Sequence, residues 1–148
     1  MIAKFARAMV IGTIAITAFG AAAAADSITD RQEDMKAVGK AMGALAAIAK
    51  KEASFDAAVV SASGNTIAEK VKEALVDFPE GSQSGTAETW AKPEIWANMD
   101  DFKAKAGKAE EAAMAMAAVA DEADFGTALG VLGGTCKACH EDYRRPKQ

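Results

Sequence analysis

The feature that most constrains this chain is a five-residue run near its C-terminus, Cys136-Lys137-Ala138-Cys139-His140. It contains the only histidine and the only two cysteines of the 148 residues. This is the spacing of a c-type haem attachment site, because two thiols three residues apart can each form a thioether with one porphyrin. The adjacent imidazole can then bind the iron. The run therefore predicts one haem c per chain, bound covalently through two thioethers.

Other chemistries fit this run poorly. A structural zinc site needs about four ligands, and the chain has no second group of cysteines and histidines. A thioredoxin-like dithiol belongs to a βαβ context, which the sequence does not show. A disulfide between Cys136 and Cys139 on a helix would be strained and would close almost no loop. Covalent haem remains the interpretation that uses all three side chains.

The N-terminus predicts export. A short basic stretch precedes an apolar run over residues 8–19, and a row of alanines follows. This pattern is typical of a cleaved secretory signal peptide, here residues 1–25 with the cut after Ala24 or Ala25. A retained anchor is the alternative, but small residues follow where an anchor would continue. The apolar run is short for a span, and no other segment approaches ~20 apolar residues. We therefore expect no membrane span after signal removal.

The predicted mature domain, residues 26–148, is a single acidic unit. The whole chain has a net charge of −4, and losing Lys4 and Arg7 leaves 15 basic against 21 acidic residues, or −6. This charge disfavours nucleic acid and anionic lipid as partners. It is compatible with a redox partner protein that has a basic docking surface. Because bacteria attach haem through thioethers outside the cytoplasm, the expected location is the periplasm.

The mature sequence predicts four amphipathic helices and no strands, since alanine is abundant and β-branched runs are scarce. They cover about residues 28–50, 54–79, 93–120 and 124 to the C-terminus. Their apolar residues recur at steps of three and four. The predicted core positions are Met35, Val38, Met42, Leu45, Ala49, Val60, Ile67, Val71, Leu75, Phe78, Ile95, Met99, Phe102, Ala106, Ala109, Ala113, Met116, Ala120, Phe125, Leu129, Leu132, Cys136, Cys139 and Tyr143.

Local signals set the predicted helix boundaries. Ser27 or Thr29 can cap the first helix, and Ser54 can cap the second. The glycine–asparagine pair at residues 64–65 is a weak spot that predicts a kink or break. Residues 79–92 are rich in turn-forming residues and predict a crossover loop.

These helices predict an all-α fold, an antiparallel up-down-up-down four-helix bundle with the haem at the end of the last helix. Gly130, Gly133 and Gly134 precede the haem motif, although each glycine costs a helix roughly 1 kcal/mol relative to alanine. Close approach of the porphyrin to the backbone would compensate for this cost. The alternative is a frayed helix.

The sequence resembles the class II c-type cytochromes, the family of cytochrome c′ and its low-spin relatives. The resemblance covers essentially all of residues 26–148. It is carried by Arg31-Gln32, by Lys-Pro-Glu-Ile-Trp at residues 92–96, and by Gly-Gly-Thr-Cys-Lys-Ala-Cys-His at residues 133–140 followed by Tyr143-Arg144. The first helix is most similar to the c-556 and c-554 branch. The resemblance implies a four-helix bundle with haem attached near the C-terminus.

The same resemblance implies roles for four further residues. Met35, four residues after Arg31, would be the sixth iron ligand opposite His140; alternatively it packs on the porphyrin without coordinating. Arg31, with Gln32 nearby, would hold a haem propionate, unless Arg31 is a solvated surface residue. Arg144 would approach the proximal side, or else act only as an exposed cation at the helix C-terminus.

Function then depends on the sixth ligand. With Met35 on the iron we expect a periplasmic one-electron carrier, because a filled coordination position favours electron transfer over ligand binding. With an open position the alternative is a five-coordinate, high-spin cytochrome c′ that binds nitric oxide or carbon monoxide. A haem enzyme is disfavoured because no second histidine is available as a distal acid–base group. The resemblance leaves both a monomer and a homodimer open.

Overall fold

The computed structural model describes the backbone of residues 19–85 and 87–146, and the side chains of these ranges from Ser27 onward. The helices are, in chain order, α1 (Phe19–Ala49), α2 (Ala57–Ala74), α3 (Glu94–Ala97), α4 (Met99–Ala117) and α5 (Glu122–Tyr143), with a 3-10 helix at Leu75–Asp77. Within these ranges there is no strand, only a bridge between Ala91 and Arg144. The all-α prediction is confirmed. The predicted signal peptide lies mostly outside the described residues, since residues 1–18 are not among them.

Helix α1 is longer than predicted at its N-terminus. It begins at Phe19 rather than near Ile28, because the alanines at residues 21–25 are strong helix formers. Ser27 and Thr29, predicted as caps, therefore lie inside the helix.

The C-terminus of α1 is closed by its backbone. Lys51 has a positive φ of 62°, and Glu52 N donates to Ala47 O at 2.9 Å while Lys51 N donates to Ile48 O at 3.0 Å. These two bonds form a Schellman motif, which satisfies carbonyls that the helix end would otherwise leave unpaired.

Aspartates, rather than the predicted residues, begin the next long helices. Asp56 Oδ1 accepts a hydrogen bond from Ala58 N at 2.8 Å at the start of α2, so the prediction of Ser54 as the cap was wrong. Asp121 caps α5 in the same way through Ala123 N. The start of α5 at Glu122 lies within two residues of the predicted Asp124.

The predicted third helix is interrupted at Asn98, which separates α3 from α4. Asn98 has a non-helical backbone, with φ −133° and ψ 46°. Its side-chain Nδ2 donates to Glu94 O at 3.1 Å, and its backbone N donates to the same oxygen at 2.9 Å. Asparagine side chains compete with the helix for backbone partners in this way, which explains the break that periodicity alone did not predict.

The four long helices form the predicted four-helix bundle. Helix α1 packs on α2, α2 on α4, and α4 on α5. The largest buried cluster joins all four helices. Its members are Val38, Ala41, Leu45, Ile48, Val60, Ile67, Ala68, Ala112, Ala113, Met116, Phe125 and Leu132. Most predicted core positions are confirmed as buried or half-buried, whereas Met35, Ala49 and Ala120 are exposed.

Gly64 is a tight contact point between α2 and α4, and the predicted weak spot at residues 64–65 was wrong. Helix α2 runs through it without a break. A Cβ at Gly64 would lie 2.5 Å from Ala117 N and 2.7 Å from Ala113 O, which are both backbone atoms. The helix tolerates this glycine because it lets the two backbones approach closely.

A second buried cluster lies against the crossover loop and contains Ile95, Phe102 and Tyr143. Phe78 packs edge-on against Phe102, with 4.8 Å between ring centroids, and Phe102 packs edge-on against Tyr143 at 5.3 Å.

Within the described ranges no helix is both long and apolar enough to cross a bilayer.

Candidate haem site

The three residues of the haem motif occupy the last turns of α5. Cys136 packs against the main core and Cys139 against the second cluster, so both thiols lie on the inner side of the helix as predicted. Both are free thiols and half-buried. His140 is half-buried and directly follows Cys139. The structure therefore brings the two predicted attachment atoms and the predicted axial ligand together on one short helical segment.

Burial shifts the pKa of each of the three groups in the direction that favours its uncharged form. Burial raises the pKa of Cys136, and raises the pKa of Cys139 to about 11. Burial also lowers the pKa of His140, and the nearby positive charge of Arg144 lowers it further. A neutral imidazole has a free nitrogen lone pair, which is the form that binds a metal.

The edge of the bundle between α1 and α5 is loosely packed, and we call it the open edge. Helices α1 and α5 do not pack closely against each other, in contrast to the other three neighbouring pairs. On α5, a Cβ built at Gly130, Gly133 or Gly134 would meet no other atom within 4 Å. Gly130 and Gly134 are exposed, and Gly134 lines a surface groove with Lys105 and Lys108 of α4, so the predicted approach of a porphyrin to these glycines stays a prediction.

Met35 lies on α1 directly after a residue that contacts α2. The neighbouring Asp34 forms an ion pair with Lys70 of α2, with Oδ1 and Nζ 3.3 Å apart. Because successive residues on a helix are turned by about 100°, Met35 points away from that contact. Its exposed fraction is 37%. Met35 is therefore a partly exposed residue on one of the two helices that flank the open edge.

Arg31 is buried, so the alternative of a solvated surface arginine was wrong. Its exposed fraction is 4%. Nη1 donates to Asp77 O at 3.1 Å and to Ser82 Oγ at 3.3 Å. Nη2 donates to Ser82 O and Thr89 Oγ1, each at 3.0 Å. The guanidinium thus uses its terminal N–H groups to tie α1 to the loop between α2 and α3.

The aromatic side chains and Gln32 reinforce that loop. The Arg31 guanidinium lies over the Phe78 ring, 4.8 Å from its centroid. Trp96 Nε1 donates to Pro79 O at 2.9 Å. Gln32 Nε2 donates to Glu88 O. The predicted contacts of Arg31 and Gln32 with a propionate stay predictions, whereas their loop contacts are a role that sequence reasoning missed.

Burial also lowers the pKa of Arg31, and the carboxylate of Asp77 opposes that shift. No sequence signal pointed to Ser82 or Thr89 as its acceptors, because they lie 51 and 58 residues away along the chain. Only the folded loop brings them together.

The donor set fits a haem better than a bare metal ion. Within the described part of the chain, no group of three or more histidine, cysteine or acidic side chains could hold an ion. Two half-buried thiols and one neutral imidazole on consecutive turns instead match a porphyrin attached by thioethers, with the imidazole as an axial ligand.

Arg144 follows the last residue of α5 and is exposed. Its backbone N donates to His140 O at 3.1 Å. The charge of Arg144 acts on His140, as its effect on the imidazole pKa shows. This placement agrees with both predicted roles, proximal side chain and helix C-terminal cation.

Comparison with known proteins identifies the family. The family model described as Cytochrome C' matches residues 26–144. The chain belongs to the cytochrome c′ family. This cytochrome is 46% identical over 130 residues to a cytochrome c-556 of Agrobacterium fabrum, covering 86% of this chain and 87% of that one. It is 37% identical over 147 residues to a cytochrome c' of Rhodopseudomonas palustris, covering 97% and 99%.

Solved structures agree with this assignment. The structure of cytochrome c' from Rhodopseudomonas palustris matches the cytochrome with a TM-score of 0.78 and 36% identity, covering 83% of this chain and 98% of that one. Membership of the family implies a covalently attached haem c with its iron, and this chain has the two cysteines that the attachment needs. The predicted cofactor and the predicted resemblance are both confirmed.

Proposed function

We propose that this cytochrome is a one-electron carrier in which Cys136 and Cys139 attach the haem, His140 binds the iron and Met35 is the second axial ligand. The observation that carries the proposal is the placement of the haem motif and Met35 on the two helices that flank the open edge of the bundle. When bound, the haem iron supplies the one-electron couple. The protein supplies fixed axial ligands and a partly buried site.

The chain's own groups suit this task. Burial lowers the pKa of the His140 imidazole and so favours the neutral form, which is the form that binds a metal. The thioether of Met35 is a soft, uncharged ligand that raises the potential of a haem iron. Arg31, one helical turn before Met35, ties this part of α1 to the crossover loop.

A second candidate function is binding of nitric oxide or carbon monoxide at an open coordination position. It would apply if the Met35 thioether packs beside the haem without binding the iron. One structural relative, 27% identical with a TM-score of 0.73, is a nitric oxide complex of a cytochrome c prime mutant from Alcaligenes xylosoxidans. The relatives named cytochrome c-556 support the carrier instead.

Substituting Met35 tests the two functions. For the carrier, Met35→Ala should convert a low-spin absorption spectrum into a high-spin one and allow carbon monoxide to bind the ferrous iron. Met114→Ala is the matched control, because Met114 is also exposed, at 51%, but lies on α4. A wild-type spectrum that is already high-spin, or that is unchanged in Met35→Ala, would remove Met35 from the iron and favour the gas-binding function.

We also propose a location and a partner. Residues 1–25 would be removed on export to the periplasm, and the mature cytochrome would exchange electrons with a periplasmic redox partner protein. Its acidic charge supports a partner with a basic surface. N-terminal sequencing of the haem-containing protein from the periplasm tests the cut after Ala24 or Ala25. A product that keeps residues 1–25 would contradict it. Sedimentation of the same material distinguishes monomer from homodimer.

A further inference from the structure

The C-terminus of α5 has an unusual arrangement of backbone partners. A helix ends with four carbonyls that have no partner within the helix, and in α5 these are the carbonyls of residues 140–143. His140 O accepts from Arg144 N. The remaining three carbonyls all accept hydrogen bonds from one residue, Lys92.

Lys92 uses both its side chain and its backbone. Its Nζ donates to Glu141 O at 2.8 Å and to Asp142 O at 3.0 Å. Its backbone N donates to Tyr143 O at 3.0 Å. A cation at this position also interacts favourably with the negative end of the helix dipole. The last turn of α5, which carries His140, is therefore held in place largely by a residue of the crossover loop.

The local sequence explains why Lys92 can reach these carbonyls. Lys92 precedes Pro93, and a residue before proline is pushed toward extended backbone. Extended backbone lets the segment pair with the chain that leaves α5. Ala91 forms an antiparallel bridge with Arg144, and Arg145 N donates to Trp90 O at 2.8 Å.

We propose that Lys92 is a positioning residue for the axial ligand. By fixing the last turn of α5 it holds the backbone of His140, and with it the orientation of the imidazole plane at the iron. This inference rests on the proposed function, because it requires His140 to bind the haem iron. Lys92 would act indirectly, through its hydrogen bonds to the carbonyls of Glu141 and Asp142.

The test uses the ferric holoprotein and two measurements. The g values of its electron paramagnetic resonance spectrum report how the axial imidazole is oriented. Amide hydrogen exchange of the C-terminal peptide reports how firmly the last turn is held. In Lys92→Met we expect shifted and broadened g values and exchange that is about five-fold faster, because the charge-assisted bonds are lost while the backbone bond remains.

Two further variants serve as controls. Lys92→Arg keeps a cationic donor and should restore the wild-type spectrum. Lys103→Met removes the same charge from an exposed position on α4 and should leave both measurements unchanged. Lys92→Gln, with a shorter neutral donor, should give intermediate g values, and it replaces Lys92→Met if that variant does not accumulate.

The possible outcomes separate the two proposals. If exchange accelerates in Lys92→Met but the g values stay those of wild type, Lys92 only supports the helix end and the inference is wrong, while the proposed function stands. If Lys103→Met shifts the g values as much as Lys92→Met, the shift comes from the loss of one positive charge and not from the lost hydrogen bonds. The inference is then also wrong. If wild-type protein from the periplasm contains no covalent haem, both proposals fail.

Discussion

Replacing Gly64 with alanine should destabilise the protein, although the same change in most helices is stabilising. A helix interior gains about 1 kcal/mol when glycine becomes alanine. Here the new methyl group would lie 2.5 Å from Ala117 N and 2.7 Å from Ala113 O and from Ala117 Cα. Ordinary contacts need roughly 1 Å more, and backbone atoms cannot rotate away as side chains do. Overpacking typically costs about 1–3 kcal/mol, and separating α2 from α4 also loosens the shared core.

The expected net result for Gly64→Ala is a loss of about 2 kcal/mol in the free energy of unfolding. Gly126→Ala in α5 is the matched control, because a Cβ there meets no other atom within 4 Å. That variant should gain about 0.5–1 kcal/mol. Denaturant unfolding of the holoproteins, followed by far-ultraviolet circular dichroism, measures both. A Gly64→Ala protein as stable as Gly126→Ala would refute the reasoning that close backbone approach requires this glycine.

Two further predictions concern the loop and the second cluster. Arg31→Met should lower the free energy of unfolding by about 2–4 kcal/mol in denaturant unfolding, because it leaves several acceptors in the loop without donors; a loss below about 0.5 kcal/mol would contradict the anchoring role. The hydrogen bond from Tyr143 to Asp101 raises the pKa of Tyr143 to about 12. This raised pKa stabilises the fold fully below the ordinary tyrosine pKa of about 10, and the stabilisation is lost as the pH rises through 12. The chain has one tyrosine, so absorbance at a phenolate wavelength should titrate near 12, and near 10 in Asp101→Asn; equal midpoints would show that Asp101 is not the cause.

The sequence was most informative where the determinants are local. On α4 and α5 the three–four alternation marks one face, and Phe102, Ala113 and Met116 on that face are buried as predicted. The haem motif is equally local, since its three functional side chains lie within five consecutive residues. Periodicity and spacing are short-range properties, so they can be interpreted without knowing how the helices pack.

Features that depend on distant parts of the chain were missed. Gly64 looked like a break because the backbone of α4 that it contacts lies about 50 residues further along. The sequence did not distinguish a buried Arg31 from a solvated surface arginine. The hydrogen-bond acceptors of Arg31 belong to a loop whose sequence has no regular pattern. The helix break at Asn98 has a local cause, the hydrogen bond of its side chain to Glu94 O. An asparagine inside an otherwise helical pattern does not, however, predict a break by itself.

The crossover loop connects the two helices that flank the candidate site. Helices α1 and α5 flank the site but do not pack closely on each other. The loop instead holds α1 through Arg31, one turn from Met35, and holds α5 through Lys92, at the turn that carries His140. The loop therefore adds to the core packing in fixing the positions of the two helices that carry the proposed axial ligands. Changing either contact should disturb the site more than changing an exposed residue on α1 or α5 itself.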